Sequence, residues 1–94
     1  MMNEVELMKQ LGDGDTARGR YVTNMIADRL AHARAEHPGT EWSGKGPAYG
    51  VRVIRDELDE LGMAVDDDEG EDRMRDECLD VLATAVRFLN REWK

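Results

Sequence analysis

Residues 47–65, PAYGVRVIRDELDELGMAV, and residues 71–93, EDRMRDECLDVLATAVRFLNREW, decide the fold. In the first stretch Val51, Ile54, Leu58, Leu61 and Val65 recur at spacings of three and four. That is the period of one helix face, not of a strand. Pro47 suits the first helical turn, where its missing N–H has no intrahelical carbonyl to serve. In the second stretch Met74, Cys78, Val81, Ala85 and Phe88 form a comparable seam. Between them, Asp66-Asp67-Asp68-Glu69-Gly70 breaks the pattern and sets carboxylates at the start of the following helix, where the helix dipole favours them. The spacing predicts two helices, over about 47–65 and 71–93, packed antiparallel along these seams.

Upstream, Val22, Met25, Ile26, Leu30 and Ala33 give a helical stripe that runs to about His37, with Asp15 or Thr16 as N-cap. Pro38-Gly39 ends that helix, and residues 38–46, PGTEWSGKG, read as a loop. Residues 2–11 suit a short helix stopped by Gly12-Asp13-Gly14. Strand-like alternation, internal repeats and low-complexity linkers are absent from the sequence. The expected class is all-α: a small antiparallel helical bundle over 16–94, preceded by an N-terminal extension, 1–15, of unassigned role.

Composition narrows the function classes. The 94 residues carry 21 acidic and 13 basic groups, a net charge of −8. Such a surface disfavours phosphate backbones and anionic membranes as partners. No apolar run approaches the roughly 20 residues that span a bilayer. The start, MMNEVELMKQ, lacks the apolar stretch of a signal peptide, and one cysteine, Cys78, excludes an internal disulfide; the expected compartment is a reducing cytoplasm. A chain this short has a thin core, so burial completed by homo-oligomerisation, as a homodimer or homotetramer, is expected. Cys78 reads as buried packing rather than a nucleophile. His32 and His37 read as exposed, and the methionines as core filler.

The acidity is concentrated. Residues 1–50 hold six basic and seven acidic groups, residues 51–94 seven basic and fourteen acidic. Within the second half, Glu57 and Glu60 lie one turn apart, as do Glu77 and Asp80. Each of the four precedes a seam residue by one position, so antiparallel packing can bring all four to one groove. Such carboxylates repel one another unless a cation neutralises them, and Mg²⁺ or Mn²⁺ suits an all-oxygen site. The same pairs also fit a solvated helix face, and spacing leaves both readings open.

The pattern Asp56-Glu57-x-x-Glu60, sixteen residues, then Glu77-x-x-Asp80 resembles the MazG-type all-α nucleoside triphosphate pyrophosphohydrolases, whose motifs are E-E-x-x-E and E-x-x-D on successive helices. RDELDEL fits the first and RDECLDVLATAVRFLN the second, while EWSGKGPAYG resembles the tryptophan- and lysine-bearing loop ahead of the first acidic helix in some members. The likeness covers roughly residues 25–94. Asp56 departs from it, standing where the family usually has glutamate. Many members continue into a further helix with lysine and asparagine phosphate ligands; here that role would pass to nearer residues or to a partner subunit.

The resemblance implies hydrolysis of a nucleoside triphosphate, ribo- or deoxy-, to monophosphate and pyrophosphate. Glu57, Glu60, Glu77 and Asp80 would be both metal ligands and catalytic groups, holding Mg²⁺, or Mn²⁺ in its place, against the triphosphate. Water activated by the cation would attack the α-phosphorus, and a carboxylate oxygen would take its proton. Lys45, Arg87 and Arg91 are candidate phosphate contacts, Trp42 a stacking surface for the base, and Asn90 a ligand for sugar or base. Gly44-Lys45-Gly46 is not a phosphate-binding P-loop, because the upstream glycine and the following Ser/Thr are missing. The rival readings are a non-catalytic acidic helical module that binds a basic protein surface, and a degenerate family member that binds nucleotide without turnover.

Overall fold

Glycine and proline set the helix boundaries much as the sequence implies. The computed structural model describes residues 17–94, in which α1 spans Ala17–Glu36, α2 Gly39–Trp42, α3 Pro47–Asp66 and α4 Glu71–Leu89. Pro47 opens α3, and Glu71 and Asp72 occupy the first turn of α4. The short helix expected at 2–11 and the Asp15 or Thr16 cap lie outside the described residues. Helices α3 and α4 form an antiparallel hairpin, and α1 packs on α4. The architecture is all-α, with no strand among the described residues. None of these helices is long and apolar enough to cross a membrane.

Two boundaries differ from expectation. The segment 38–46 is not all loop: α2 turns once through it and delivers Trp42 to the interior at 2% exposure. Helix α4 ends at Leu89 rather than near Trp93. There Arg91 takes a left-handed conformation (φ 57°), and the Glu92 N–H donates to the Arg87 carbonyl at 3.1 Å. This is the six-to-one closure of a Schellman turn. Helix α3 ends the same way, with Asp68 at φ 52° and the Glu69 N–H on the Ala64 carbonyl.

The seam between α3 and α4 is rolled away from the expected one. On α3 the buried positions are Gly50 and Ala64, while Val51, Leu58 and Val65 are exposed at 44%, 53% and 54%. On α4, Leu79 and Ala83 are buried and Cys78 is exposed, contrary to its reading as core. The reason is geometric. Helix α4 touches two neighbours, so it buries a wide arc that takes in Glu77, Thr84 and Arg87 as well. Helix α3 turns its smallest residues to α4: a Cβ on Gly50 would lie 2.6 Å from a Phe88 ring carbon and 3.3 Å from the Trp42 ring. Buried Thr84 satisfies its own hydroxyl by donating to the Val81 and Asp80 carbonyls.

One polar knot ties the elements together. The Arg87 side chain, 1% exposed, lies with its guanidinium carbon 4.8 Å from the centre of the Trp42 ring, and its Nε donates to Glu92 at 2.9 Å. Glu92 takes a second bond, at 2.8 Å, from Arg34 of α1. Burial pushes the Glu92 carboxyl up, but the hydrogen bonds from Arg34 and Arg87 outweigh it and hold the group below its ordinary range.

Two substitutions test this packing. Gly50→Ala should lower stability by about 1–2 kcal/mol, because overpacking against Phe88 outweighs the helix propensity gained. Gly62→Ala, on α3 with open space around it, should raise stability by about 0.5–1 kcal/mol. Urea unfolding compares them, and equal effects would contradict the close approach at Gly50. Glu92→Ala should cost about 3–5 kcal/mol, as expected when a buried cation loses its partner, and the same titration measures it.

Candidate metal centre and adjoining cavity

Helical spacing puts Glu57 and Glu60 on one turn of α3, and the antiparallel hairpin sets Glu77 of α4 against them. One carboxylate oxygen from each falls within 4.8 Å of the others. The cluster is graded from solvent inward: Glu60 is exposed, Glu57 half-buried and Glu77 buried. Glu77 is 3% exposed, and Glu57 Oε2 and Glu77 Oε2 are buried without a hydrogen-bond partner among the described residues. The Arg73 guanidinium reaches only the other oxygen of Glu77.

The electrostatics follow. Burial, then the charges of Glu60 and Asp80, a hydrogen bond with Glu60 and the charge of Glu77 push the Glu57 carboxyl from 4.5 up to about 7. Glu77 is also raised, chiefly by burial, with Arg73 opposing and Glu60 and Asp80 adding to the rise. Orphaned acceptor oxygens, crowded carboxylates and an all-oxygen donor set fit a hard divalent cation. Glu57, Glu60 and Glu77 are the residues that could hold it.

Asp80 stands at the edge of this cluster and does not complete it. Its Oδ1 accepts from Arg29 Nη1 at 3.0 Å, and Arg29 Nη2 donates to Asp76 at 3.1 Å. Sequence reasoning missed Arg29. The signal was Asp76 and Asp80, one turn apart on α4 and calling for a cation from a neighbouring helix.

A cavity of about 470 Å³ opens from the acidic cluster. Glu57, Glu60, Asp56 and Asp80 line one part of it, and Trp42, Tyr49, Thr84 and Arg87 another. Trp42 and Tyr49 meet edge to face, with ring centroids 5.5 Å apart. Arg87 Nη2 is buried and has no hydrogen-bond partner among the described residues, an unspent donor in the cavity wall. His32 and His37 are exposed as expected, yet both border the cavity, His32 with Nε2 3.2 Å from Glu36 and His37 with Nδ1 2.9 Å from Glu41.

Of the five candidate substrate contacts, the structure brings Arg87 and Trp42 to the cavity, and not Lys45, Asn90 or Arg91. Lys45 lies in a turn pinned to the end of the chain: the Gly44 N–H donates to the Lys94 carbonyl at 2.9 Å and the Gly46 N–H to Trp93 at 3.0 Å. Asn90 caps α4 in the open, and the left-handed turn at Arg91 sends its guanidinium over the Trp93 ring. Tyr49 carried no sequence signal beyond its place near Trp42.

The raised Glu57 carboxyl makes stability depend on pH. A folded value of about 7 against 4.5 when unfolded favours the protonated form in the fold. That contribution is fully present below pH 4.5, falls as pH rises and is gone above about pH 7. Glu92, held low, changes stability only on the acid side of that window. Metal-free protein should therefore show a lower urea midpoint at pH 8 than at pH 5. Glu57→Gln should flatten the difference, and Mg²⁺ or Mn²⁺ should restore stability at pH 8; a midpoint indifferent to all three would contradict the cluster. Comparison with family models, curated proteins and solved structures gives no match to this chain, so a functional reading rests on this geometry.

Proposed function

We propose that the protein hydrolyses nucleoside triphosphates, ribo- or deoxy-, to monophosphate and pyrophosphate with the help of Mg²⁺ or Mn²⁺. The observation that carries this reading is the meeting of Glu57, Glu60 and Glu77, with unpartnered buried oxygens on Glu57 and Glu77, beside a cavity that Glu57 and Glu60 line together with Trp42 and Tyr49. The likeness of the two acidic motifs to the MazG-type enzymes supports it.

Glu57, Glu60 and Glu77 would hold the cation, with Asp80, anchored by Arg29, as the fourth carboxylate beside them. Bound there, a divalent cation would supply charge neutralisation on the triphosphate and water of lowered pKa. A carboxylate oxygen of the cluster accepts the proton of the attacking water. Opposite, half-buried Tyr49 offers ring surface to a base, with Trp42 buried behind it as packing rather than as a stacking surface, and Arg87 Nη2 offers its N–H groups to a carbonyl or phosphate oxygen. Arg87 cannot swing toward the cluster without leaving Glu92, so it orients a ligand rather than following it. A reducing cytoplasm suits exposed, unpaired Cys78 and is the proposed compartment.

The test is pyrophosphate release from a panel of ribo- and deoxynucleoside triphosphates with Mg²⁺ or Mn²⁺, with and without chelator. Release should require the metal and fall by about 100-fold or more in Glu57→Gln and Asp80→Asn, whose helical circular dichroism should persist. Activity retained in both variants would remove the carboxylates from the mechanism. No release with any nucleotide would reject the enzyme, and metal titration by calorimetry would then separate a degenerate nucleotide site from an acidic binding module.

A further inference from the structure

Two arginines reach the acidic residues of the hairpin, and the chain holds them differently. Arg29 of α1, with its side chain 23% exposed, spends both Nη atoms, at 3.0 Å on Asp80 and 3.1 Å on Asp76. Its departure would strand two carboxylates at once, so that fork is structural. Arg73 of α4 is 58% exposed and spends one Nη on one oxygen of Glu77. Both of its acidic neighbours, Glu77 and Glu69, come from its own helix or the turn before it.

The spacing sets Arg73 between two acids. Glu69 lies four residues before it and Glu77 four after, so one stripe carries an outer carboxylate, a cation and an inner carboxylate. The inner acid is the buried one, at 5% side-chain exposure against 46% for Glu69. Arg73 Nε is already 3.9 Å from Glu69, so moving outward needs only a change of rotamer in an exposed side chain.

The contact at Glu77 is also incomplete. Glu77 Oε2 and Glu57 Oε2 are buried without a donor among the described residues, so one guanidinium does not satisfy the cluster. Its charge still counts: burial pushes the Glu77 carboxyl up, and Arg73 opposes that rise. A divalent cation held by Glu77 would meet the guanidinium as a like charge at close range, where burial leaves the repulsion poorly screened. Arg29 is fixed by two bonds, whereas the exposed, singly engaged arm of Arg73 is free to leave.

Taking Glu57, Glu60 and Glu77 as the cation site proposed above, we infer that Arg73 is its resident counter-ion, which neutralises Glu77 in metal-free protein and is displaced outward to Glu69 when a divalent cation binds. Binding is then an exchange of one cation for another. Arg73 keeps the metal-free hairpin stable and raises the concentration of Mg²⁺ or Mn²⁺ at which the site fills. This role is opposite in sign to that of Arg29, which holds a carboxylate in place beside the same site.

Calorimetric titration of the full chain with Mg²⁺ and with Mn²⁺ at pH 8 tests the exchange. Arg73→Gln should tighten binding about tenfold, and Arg73→Lys, which keeps the charge, should stay within about threefold of the unaltered protein. Arg75→Gln removes the same charge two residues along, where Asp72 is the partner at 3.5 Å, and should also shift Kd by less than about threefold. Without metal, Arg73→Gln should lower the urea midpoint with helical circular dichroism retained, and saturating Mg²⁺ should erase that difference, as linkage requires. Glu69→Gln should weaken binding in the unaltered protein and less so beside Arg73→Gln; equal effects would overturn Glu69 as the receiving group. A Kd unchanged or weakened by Arg73→Gln overturns the inference, as does an Arg75→Gln effect of the same size. Absence of binding in the unaltered protein and in Arg73→Gln alike overturns the cation site and the inference with it. The expected Kd shifts without pyrophosphate release would uphold the counter-ion and reject only the enzyme.

Discussion

Burying a guanidinium is costly, and this fold is arranged around meeting that cost at Arg87. The group is held from three directions: the Trp42 ring beneath it, Glu92 on its Nε, and through Glu92 the Arg34 side chain of α1. Each partner comes from a different part of the chain. Trp42 arrives because α2 makes one turn between Pro38 and Ser43, and Glu92 because a Schellman turn folds the chain back over the end of α4. The same turn leaves Trp93 and Lys94 where their carbonyls receive Gly46 and Gly44. The start of α3, the end of α4 and the far end of α1 are thereby fixed around one buried charge. A buried cation that loses its partner is destabilising by several kcal/mol, so arrangements of the cavity wall that separate Arg87 from Glu92 are disfavoured.

The opposite problem is left unresolved by the chain itself. Glu57 and Glu77 are driven into the α3–α4 seam at positions where a stable bundle would carry leucine. Two of their oxygens receive no donor; Arg73 pairs with the other oxygen of Glu77, and Glu57 is relieved by proton uptake near neutrality. Local rules broken this way mark functional sites in proteins that are otherwise self-consistent. The contrast with Arg87 is informative. One buried charge is balanced by the chain and serves as structure; the other cluster is balanced only in part, by Arg73, and could hold a cation from outside.

Much of this was legible in the sequence, and the misreadings have one physical origin. The three long helices follow from apolar period and from Gly and Pro punctuation, and the meeting of Glu57, Glu60 and Glu77 follows from two i, i+3 pairs on an antiparallel hairpin. What periodicity could not supply was the roll of each helix. Val51, Leu58 and Val65 have the spacing of a core seam and are exposed, while Gly50 and Glu57, weak or contrary signals on a hydropathy scale, face inward. Cys78 was assigned to the interior by the same reasoning on α4. Contacts that depend on chain reversal, such as Arg87 with Glu92 and Gly44 and Gly46 with the terminal turn, have no period at all. Nor does the Arg29 bridge to Asp76 and Asp80, which joins side chains 47 and 51 residues apart.

The exposed heptad is therefore not an error of reading so much as a pattern with two customers. A helix in a two-helix hairpin has an inner face for its hairpin neighbour and an outer face for anything beyond it. In α3 the inner face is occupied by small residues and carboxylates, because close approach and the acidic cluster demand them there. The branched apolar residues are displaced by roughly a quarter-turn onto the outer face. The placement of Glu57 and the exposure of Leu58, its immediate neighbour, are one fact seen from two sides. A helix that commits one face to charge at its core must bury its hydrophobic surface elsewhere, and here the cavity and the apolar strip divide the hairpin between them.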